Sequence, residues 1–414
     1  MTTATLLERR KRLLGPAYSL FYKEPLHLVR GEGAWLFDAD GRRYLDMYNN
    51  VPHVGHCHPA VVEALARQSR LLNTHTRYLH ETVLDYAERL TALLPGGLDV
   101  AMFSCTGTEA NELALRIARA VTGGQGVIVS EHSYHGNSQA IAEITAEYQT
   151  ADTLAPWVAT VPAPDVYRGR YRGADAAKRY AGHVSEAIGT LQRRGIRPAA
   201  LILDTIVSSD GVVALPEGYL TLAAAEARAA GALFIADEVQ PGFARTGTHF
   251  WGFAKDDVIP DIVTMGKPMG NGHPLAATVT RPEIIKEFAR KAHYFNTFGG
   301  NPVSAAVGLA VLDVIENEGL QQKALQVGQR LIDGLHGLAG RFDCIGDIRG
   351  SGLFLAVELV LDAEDRTPAT ALANRAIEAL KHRGVLCHTI GRDENVLKLR
   401  PPMVLSPDDA DLFL

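Results

Sequence analysis

Cysteine is scarce in this sequence, and its few cysteines do not lie in close pairs. The 414 residues include Cys57, Cys105, Cys344 and Cys387, with no CxxC spacing. This pattern excludes a disulfide framework and a zinc ribbon. We therefore expect a soluble cytoplasmic protein with reduced thiols.

Long apolar runs and basic patches are also missing. The longest stretch without Asp, Glu, Lys or Arg, residues 292–312, contains polar side chains and three glycines, so it does not predict a bilayer span. Positive charges are scattered over a chain of net charge −6, which argues against nucleic acid as a partner. The densest basic run, residues 9–12, is interpreted as a solvated helix face rather than a targeting peptide.

Two nucleotide-binding motifs are absent too. No G-x-G-x-x-G follows any strand-like run. The pair Gly266-Lys267 is followed by Pro268, and no glycine stands five residues before Gly266. Neither a dinucleotide site nor a P-loop is predicted.

Apolar runs of strand length do occur, and from about residue 84 to residue 280 they alternate with helical patterns. The runs at 126–130, 199–207, 232–239 and 262–266 are too continuous to be half exposed, so they indicate strands buried on both faces. Residues 219–230 have the pattern of a crossover helix. The sequence therefore predicts an α/β fold with a mostly parallel central sheet.

The two ends of the chain have a different pattern. Strand-like residues flank Asp40-Gly41, a dipeptide typical of hairpin turns. Further helical or strand-like stretches lie at 321–338, 352–361 and 368–383. Residues 406–414 resemble a helix cap and first turn, so the natural chain is expected to continue.

We divide the chain into three parts on these patterns. Residues 1–58 form an N-terminal segment that joins the small domain, residues 59–312 form the large domain, and residues 313–414 form a C-terminal small domain. The small α+β domain is therefore expected to be built from both chain ends.

The sequence Thr106-Gly107-Thr108 lies where a helix is predicted to begin. Free backbone N–H groups and the helix dipole at such a position hold a phosphate well. Thr106 with Glu109 is also an ordinary capping pattern, and both interpretations stay open.

An acidic and a basic residue follow two neighbouring strand-like runs. Asp237 ends one run, ahead of Glu238 and Gln240, and Lys267 ends the next. A strand, crossover and strand of this length bring both residues to one edge of the sheet, where α/β proteins bind ligands. A buried ion pair between them is the alternative.

The cluster of His53, His56, Cys57 and His58 has two interpretations. It could begin a metal-dependent hydrolase site, but later strand ends supply no histidine apart from His132. We therefore favour a packed turn with hydrogen-bonded histidines and predict no metal.

Pyridoxal phosphate (PLP) unites the remaining features. This cofactor needs a phosphate cradle, an acid against its ring nitrogen, an aromatic face and a lysine. Each has a candidate in the chain, so PLP is the predicted cofactor and the large domain is the predicted PLP-binding domain.

Three stretches resemble the class III PLP-dependent aminotransferases of fold type I, and the resemblance covers nearly the whole chain. They are DEVQPGFARTG at 237–247, TMGKPMGNGHP at 264–274 and NTFGGNP at 296–302. The resemblance implies that Lys267 is the Schiff-base lysine. It also implies cofactor contacts, which are Asp237 to the ring nitrogen, Gln240 to the ring hydroxyl, Tyr134 to the ring face, and Gly107 and Thr108 to the phosphate.

The same resemblance implies a homodimer with a shared active site, because Thr297 would reach the phosphate of the neighbouring subunit. Pairing of dimers into a tetramer is left open. The chain departs from the family where Cys105-Thr106 replaces an Asn-Ser pair and Asp204 replaces a glutamate. The second departure leaves the role of Asp204 open.

Within the family, residues 49–59, 77–80 and 162–171 are similar to phospholyases that act on ethanolamine phosphate or phosphohydroxylysine. This subgroup implies elimination of phosphate and ammonia from an amino alcohol phosphate through a Schiff base and a quinonoid, with Lys267 as general base. Ethanolamine phosphate would give acetaldehyde. An ω-amino acid or alanine:glyoxylate-type aminotransferase is the alternative, and a binding protein that kept the fold is disfavoured because both Lys267 and Asp237 are present.

A phospholyase must hold the phosphate of its substrate as well as that of PLP. The candidates are Arg400, Arg77 and Tyr18, since arginine matches phosphate oxygens well. Arg400 also matches a position where aminotransferases bind a carboxylate. Arg77 could instead form an interface ion pair, and Tyr18 could simply pack.

Overall fold

The computed structural model describes residues 3–148 and 154–414. Its strands are β1 (Leu28–Glu32), β2 (Trp35–Asp38), β3 (Arg43–Asp46), β4 (Val100–Ser104), β5 (Gly126–Ser130), β6 (Val158–Val161), β7 (Pro198–Asp204), β8 (Leu233–Asp237), β9 (Ile262–Met265), β10 (Ala276–Thr280), β11 (Ile345–Ser351), β12 (Phe354–Leu359), β13 (Val385–Leu386), β14 (His388–Ile390) and β15 (Val396–Leu399). Its helices are α1 (Thr3–Leu14), α2 (Pro59–Leu71), α3 (Glu81–Ala92), α4 (Gly107–Thr122), α5 (Gln139–Ala142), α6 (Ala176–Arg193), α7 (Tyr219–Ala229), α8 (Pro282–Lys291), α9 (Pro302–Asn317), α10 (Leu320–Ala339), α11 (Thr370–His382) and α12 (Pro407–Phe413).

The central sheet has the strand order β4-β10-β9-β8-β7-β5-β6. Strands β5 to β9 pair in parallel, and β10 is antiparallel to both of its neighbours. The predicted α/β fold with a mostly parallel sheet is therefore confirmed. The strand-like runs coincide with β5, β7, β8 and β9, and the predicted crossover helix is α7.

Both faces of this sheet are covered, as the continuous apolar runs predict. Along β7, Leu201 and Leu203 pack into one apolar cluster with α6, α7 and α9. Ala200 and Ile202 point the other way and pack with α4 and α8. Burial on both faces leaves the carboxyl edge of the sheet as the place where polar side chains can gather.

The two chain ends meet in a second sheet of order β1-β2-β3-β13. The hairpin predicted at Asp40-Gly41 joins β2 to β3, and β13 from the C-terminal part pairs in parallel with β3. A third sheet, β11-β12-β15-β14, carries α10 and α11 beside it. A small α+β layer built from both ends is therefore confirmed. The domain boundaries at residues 58 and 312 stay a prediction, and α9 runs continuously across residue 312.

Several local predictions are confirmed at the ends of helices. Ser406 caps α12 and forms a capping box with Asp409. Thr106 caps α4 and forms a capping box with Glu109. No residue of α1 is buried, which agrees with the solvated basic face predicted at residues 9–12.

The scarce cysteines are unpaired, and Cys387 is buried whereas Cys57 is exposed. In the described part of the chain, no helix combines the length and the apolar character that crossing a membrane requires. The cytoplasmic location stays a prediction.

Candidate active site

A cavity of about 290 Å³ opens where β8 and β9 end and α4 begins. Its wall brings together the predicted catalytic lysine and most of the predicted cofactor contacts. They are Lys267, Asp237, Gln240, Tyr134, Gly107 and Thr108. Residues up to 160 positions apart in the chain thus converge on one edge of the sheet, as expected for a parallel α/β fold.

Asp237, the last residue of β8, is held by three hydrogen-bond donors. Its Oδ2 accepts from Asn111 Nδ2 at 2.9 Å and lies 2.7 Å from His135 Nδ1, and its Oδ1 accepts from the Val239 amide at 3.1 Å. The side chain is almost fully buried. These contacts fix the orientation of the carboxylate toward the cavity. They also give its buried oxygens the hydrogen-bond partners that they need.

Lys267 follows β9 and starts a single 3₁₀ turn, Lys267–Gly270. Its φ of +22° is unusual for a residue with a side chain, and strained backbone of this kind clusters at functional sites. Within the described residues it forms no ion pair with Asp237 or with any other carboxylate, so the simple ion pair considered above does not form. Burial, reinforced by the charge of Arg400, lowers the pKa of Lys267 to about 8.

The first turn of α4 forms one end of the cavity. The Thr106 side chain is used in the capping box, while the amides of Gly107 and Thr108 precede the first helical bond, from Ala110 to Thr106. A Cβ at Gly107 would lie 2.9 Å from a methyl group of Val239, so only glycine fits there without movement. The capping interpretation of this segment is confirmed, and the same helix start also presents N–H groups that have no helical partner. Phosphate binding by these groups stays a prediction.

Gln240 is held in one orientation by its neighbours. Its Oε1 accepts from Arg400 and, at 3.3 Å, from Lys398, and its Nε2 donates to Ser208 Oγ at 2.6 Å. This leaves one N–H of the amide for a partner in the cavity.

Asp204 also lines the cavity and lies next to Asp237 in the sheet register. Its carboxylate accepts from Ser208 Oγ and from the amides of Ile206 and Ser208 at 3.0 and 3.1 Å. Burial and the adjacent charge of Asp237 raise the pKa of Asp204. The residue thus has a structural setting, but its role in chemistry stays open.

Four predicted residues lie outside the cavity wall in the single chain. Arg400 is buried directly behind Gln240. Arg77 and Thr297 are exposed, and the Arg77 guanidinium lies 3.9 Å from the Phe295 ring centre. Tyr18 is exposed near the N-terminus.

The sequence analysis missed Asn111 and His135, which hold Asp237. Asn111 lies on the buried face of α4 among Ala110, Leu113 and Ala114. A polar residue at such a core position needs a buried partner, and this pattern could have identified it. His135 follows Tyr134 directly, but nothing in its local sequence links it to β8.

The histidines at residues 53–58 form a packed turn, as favoured above. His53 contacts Phe243 O at 2.7 Å and Arg245 at 3.0 Å, and burial keeps its pKa well below the usual value. His56 and His58 contact Asp46 at 2.8 Å and Glu318 at 2.9 Å. Each ring thus has a different partner.

This arrangement of lysine, aspartate and helix start agrees with the family resemblance, and a family model tests it. The model described as aminotransferase class-III matches residues 21–414. The chain belongs to the class-III aminotransferase family. Both its family and its enzymatic nature are thus established, and it acts as a lyase or an aminotransferase.

Similar proteins of this class-III family have names of both reaction types. Alanine–glyoxylate aminotransferase 2-like of Drosophila melanogaster is 44% identical over 99% of this chain and 85% of its own length. A phospholyase from Arthrobacter, solved in complex with phosphoethanolamine, is 45% identical over 99% of this chain and 97% of its own, with a TM-score of 0.95. The resemblance to phospholyases is therefore confirmed.

PLP is the cofactor of this class-III chain. An amine transaminase from an uncultivated Pseudomonas species, solved in a PLP-bound form, is 30% identical over 96% of this chain and 95% of its own, with a TM-score of 0.86. The cavity fits the group: it has a lysine without an ion-pair partner in the described chain, a fixed carboxylate, and a glycine whose missing Cβ keeps the helix start open.

Proposed function

We propose that the chain is a phospholyase that eliminates phosphate and ammonia from an amino alcohol phosphate such as ethanolamine phosphate. The observation that carries this proposal is Arg400, which is only 9% exposed and lies behind Gln240 at the cavity. Its partners in the described chain are neutral oxygens, those of Asn50 at 2.9 Å and of Gln240. A buried guanidinium without a carboxylate is a ready partner for a substrate anion.

Residues of the cavity wall hold the cofactor in this proposal. Asp237 would hold the ring nitrogen, the free N–H of Gln240 would donate to the ring hydroxyl, and Tyr134 would cover the ring. The amides of Gly107 and Thr108 would bind the cofactor phosphate. When bound, PLP supplies an electron-withdrawing ring beside the substrate carbon that carries nitrogen.

Lys267 is the general base. Its lowered pKa, about 8, increases the share of neutral amine near neutral pH, and the neutral amine takes the proton from the carbon bearing nitrogen. Arg400 holds the substrate phosphate and stabilises the charge that develops as the adjacent carbon–oxygen bond breaks. With one water consumed, ethanolamine phosphate yields acetaldehyde, ammonia and inorganic phosphate.

The reaction is tested by incubating the PLP-loaded protein with ethanolamine phosphate and no keto acid. We expect inorganic phosphate, acetaldehyde and ammonia to appear in equal amounts, because elimination needs no amino acceptor. Phosphate detection with malachite green and acetaldehyde detection with alcohol dehydrogenase measure this directly. If turnover requires pyruvate or glyoxylate, the lyase proposal is wrong.

The second candidate is an ω-amino acid or alanine:glyoxylate-type aminotransferase. The name of the Drosophila relative favours it. Arg400 supplies one positive charge, which would bind a substrate carboxylate equally well. The same incubation with pyruvate or glyoxylate added decides between the two, because an aminotransferase forms alanine or glycine and releases no phosphate.

We further propose that the enzyme is a homodimer with a shared active site. Large exposed apolar side chains cluster on the two segments that flank Arg77 and Thr297. They are Leu71, Tyr78, Leu79, Leu84, Phe295 and Phe298, and Leu79 is 98% exposed. Such a patch is typical of a subunit interface, and it would place Arg77 and Thr297 near the partner's cavity.

Leu79→Asp tests the dimer. We expect this variant to sediment as a monomer and to lose PLP more readily, because a charge replaces the most exposed side chain of the apolar surface. Leu361→Asp is the matched control, since Leu361 is 71% exposed but lies outside this patch. A wild-type chain that sediments as a monomer contradicts the proposal.

A further inference from the structure

A second buried cation lies beside Arg400. Lys398 is on β15, is 2% exposed, and has buried Leu397 and Leu399 on either side. It stands two residues before Arg400, so both side chains project from the same face of the chain. Both donate to the same oxygen, Gln240 Oε1, which places them together behind the cavity wall.

Neither cation forms an ion pair with a carboxylate in the described part of the chain, and the negative charges that act on Lys398 are those of Asp204 and Glu147. Lys398 Nζ donates to Ser208 O and Gln240 Oε1, both at 3.3 Å, and both are neutral. Burial, followed by the charge of Arg400, lowers the pKa of Lys398 well below the usual lysine value. Two buried cations that share one neutral acceptor repel each other, and an arriving anion relieves that repulsion.

Another lysine of the same layer shows the ordinary solution. Lys381 on α11 is 3% exposed, and its Nζ lies 3.0 Å from Glu378 and 3.7 Å from Glu24. Burial of a lysine in this fold therefore does occur with carboxylate partners. Lys398 differs because its hydrogen-bond acceptors are neutral and no carboxylate of the described chain lies within ion-pair distance of its Nζ.

Unused donors surround the two cations. Arg400 Nε and Asn50 Nδ2 are buried and have no acceptor among the described residues. Asn50 is 1% exposed and accepts from Arg400 through its Oδ1, so its amide nitrogen is turned away from that bond. Asn50 also directly precedes Val51, which lines the cavity. Buried donors without acceptors are uncommon and point to an absent ligand.

We propose that Lys398, Arg400 and Asn50 form the substrate anion site, and that Lys398 makes it selective for a phosphate dianion over a carboxylate. This inference rests on the proposed phospholyase function, because the site adjoins the cavity of Lys267. A carboxylate carries one charge and is matched by a single arginine, whereas a phosphate dianion carries two charges and accepts from more donors.

The test uses the PLP-loaded enzyme, so that the cofactor's own phosphate site is filled. The probes are ethyl phosphate and propionate, which lack the reactive amine, and titration calorimetry measures their Kd. We expect Lys398→Met to raise the Kd for ethyl phosphate by about tenfold or more, which is the loss typical of a charged hydrogen bond. The Kd for propionate should change by less than about threefold, and Lys398→Arg should restore the affinity for ethyl phosphate.

A stability measurement separates a ligand site from a merely structural lysine. Without ligand, Lys398→Met should melt at the wild-type temperature or above it, because an uncompensated buried charge is removed. The control Lys381→Met should melt lower, since it removes the ion-pair partner of Glu378, and should bind ethyl phosphate like the wild type. Unchanged ethyl phosphate affinity in Lys398→Met overturns the inference, and so does an equal loss for propionate.

Asn50→Asp provides a second variant should Lys398→Met fail to fold. It retains the oxygen that Arg400 contacts but replaces the free donor with negative charge. Ethyl phosphate should bind more weakly by about tenfold, with a smaller loss for propionate. An Asn50→Asp enzyme with wild-type phosphate affinity contradicts the site.

These outcomes are independent of the reaction itself. If ethyl phosphate binds in a Lys398-dependent way but ethanolamine phosphate releases no phosphate, the anion site stands and the lyase proposal fails. If Lys398→Met releases phosphate at the wild-type rate and binds ethanolamine phosphate with the wild-type affinity, the lyase proposal stands and this inference fails.

Discussion

Lys267→Ala is expected to lower the rate of phosphate release by about 10⁴-fold, because the variant loses the residue that we propose as both the general base and the covalent attachment point of PLP. The lysine begins the 3₁₀ turn that follows β9, and no other lysine lines the described cavity. The visible absorbance of bound PLP should change as well. Borohydride reduction and peptide mass spectrometry should find the cofactor on the peptide with Lys267 in the wild type only.

Lys255→Ala is the control for this experiment, since Lys255 is exposed and lies outside the cavity. It should retain wild-type turnover and cofactor attachment. A Lys267→Ala protein that still releases phosphate at more than about a hundredth of the wild-type rate would show that another group is the base.

Asp237→Asn is expected to lower kcat by about 10²- to 10³-fold, as is found for other groups that stabilise developing charge. The amide keeps the size of the carboxylate but not its charge, and its NH₂ group would meet the donors Asn111, His135 or the Val239 amide. KM for ethanolamine phosphate should change little, because in the proposed site the substrate phosphate is held by Arg400 and not by Asp237. Steady-state kinetics on the PLP-loaded variant separates the two constants.

The neighbouring carboxylate Glu238 gives a matched control. It is fully buried like Asp237 but accepts from Thr205, at 2.6 Å, and from the amides of Gly252 and Phe253. Glu238→Gln should therefore lower the free energy of unfolding by about 1–3 kcal/mol with kcat of the folded enzyme within about threefold of wild type. If Glu238→Gln lowers kcat as much as Asp237→Asn does, the loss reflects distortion of the loop and not the charge of Asp237.

Much of the site could be predicted because parallel strands end at a common edge. Apolar runs that stop at Asp237 and Lys267 predict that these residues lie together, and the start of α4 after β4 brings Gly107 beside them. The capping pattern at Thr106 is ambiguous in sequence because the capping bonds leave other atoms of the same segment without a partner. Its side chain caps the helix, while the next amides stay free.

What could not be predicted depends on packing between distant elements. His135 and Asn111 meet at Asp237 through a contact between α4, the loop after β5 and the end of β8. Lys398 looks like an ordinary charged residue in a short strand, and only its burial against Gln240 distinguishes it.

The antiparallel strand β10 has a consequence for how the enzyme is made. In the central sheet Ala276 pairs with Ser104, so β4 and the helix start that follows it join the sheet only after β10 has been synthesised. Contacts between such distant segments form late and slow the folding of a chain. The cofactor cavity is complete only when β4 has paired with β10. PLP bound there stabilises molecules in which this pairing has formed over those in which it has not.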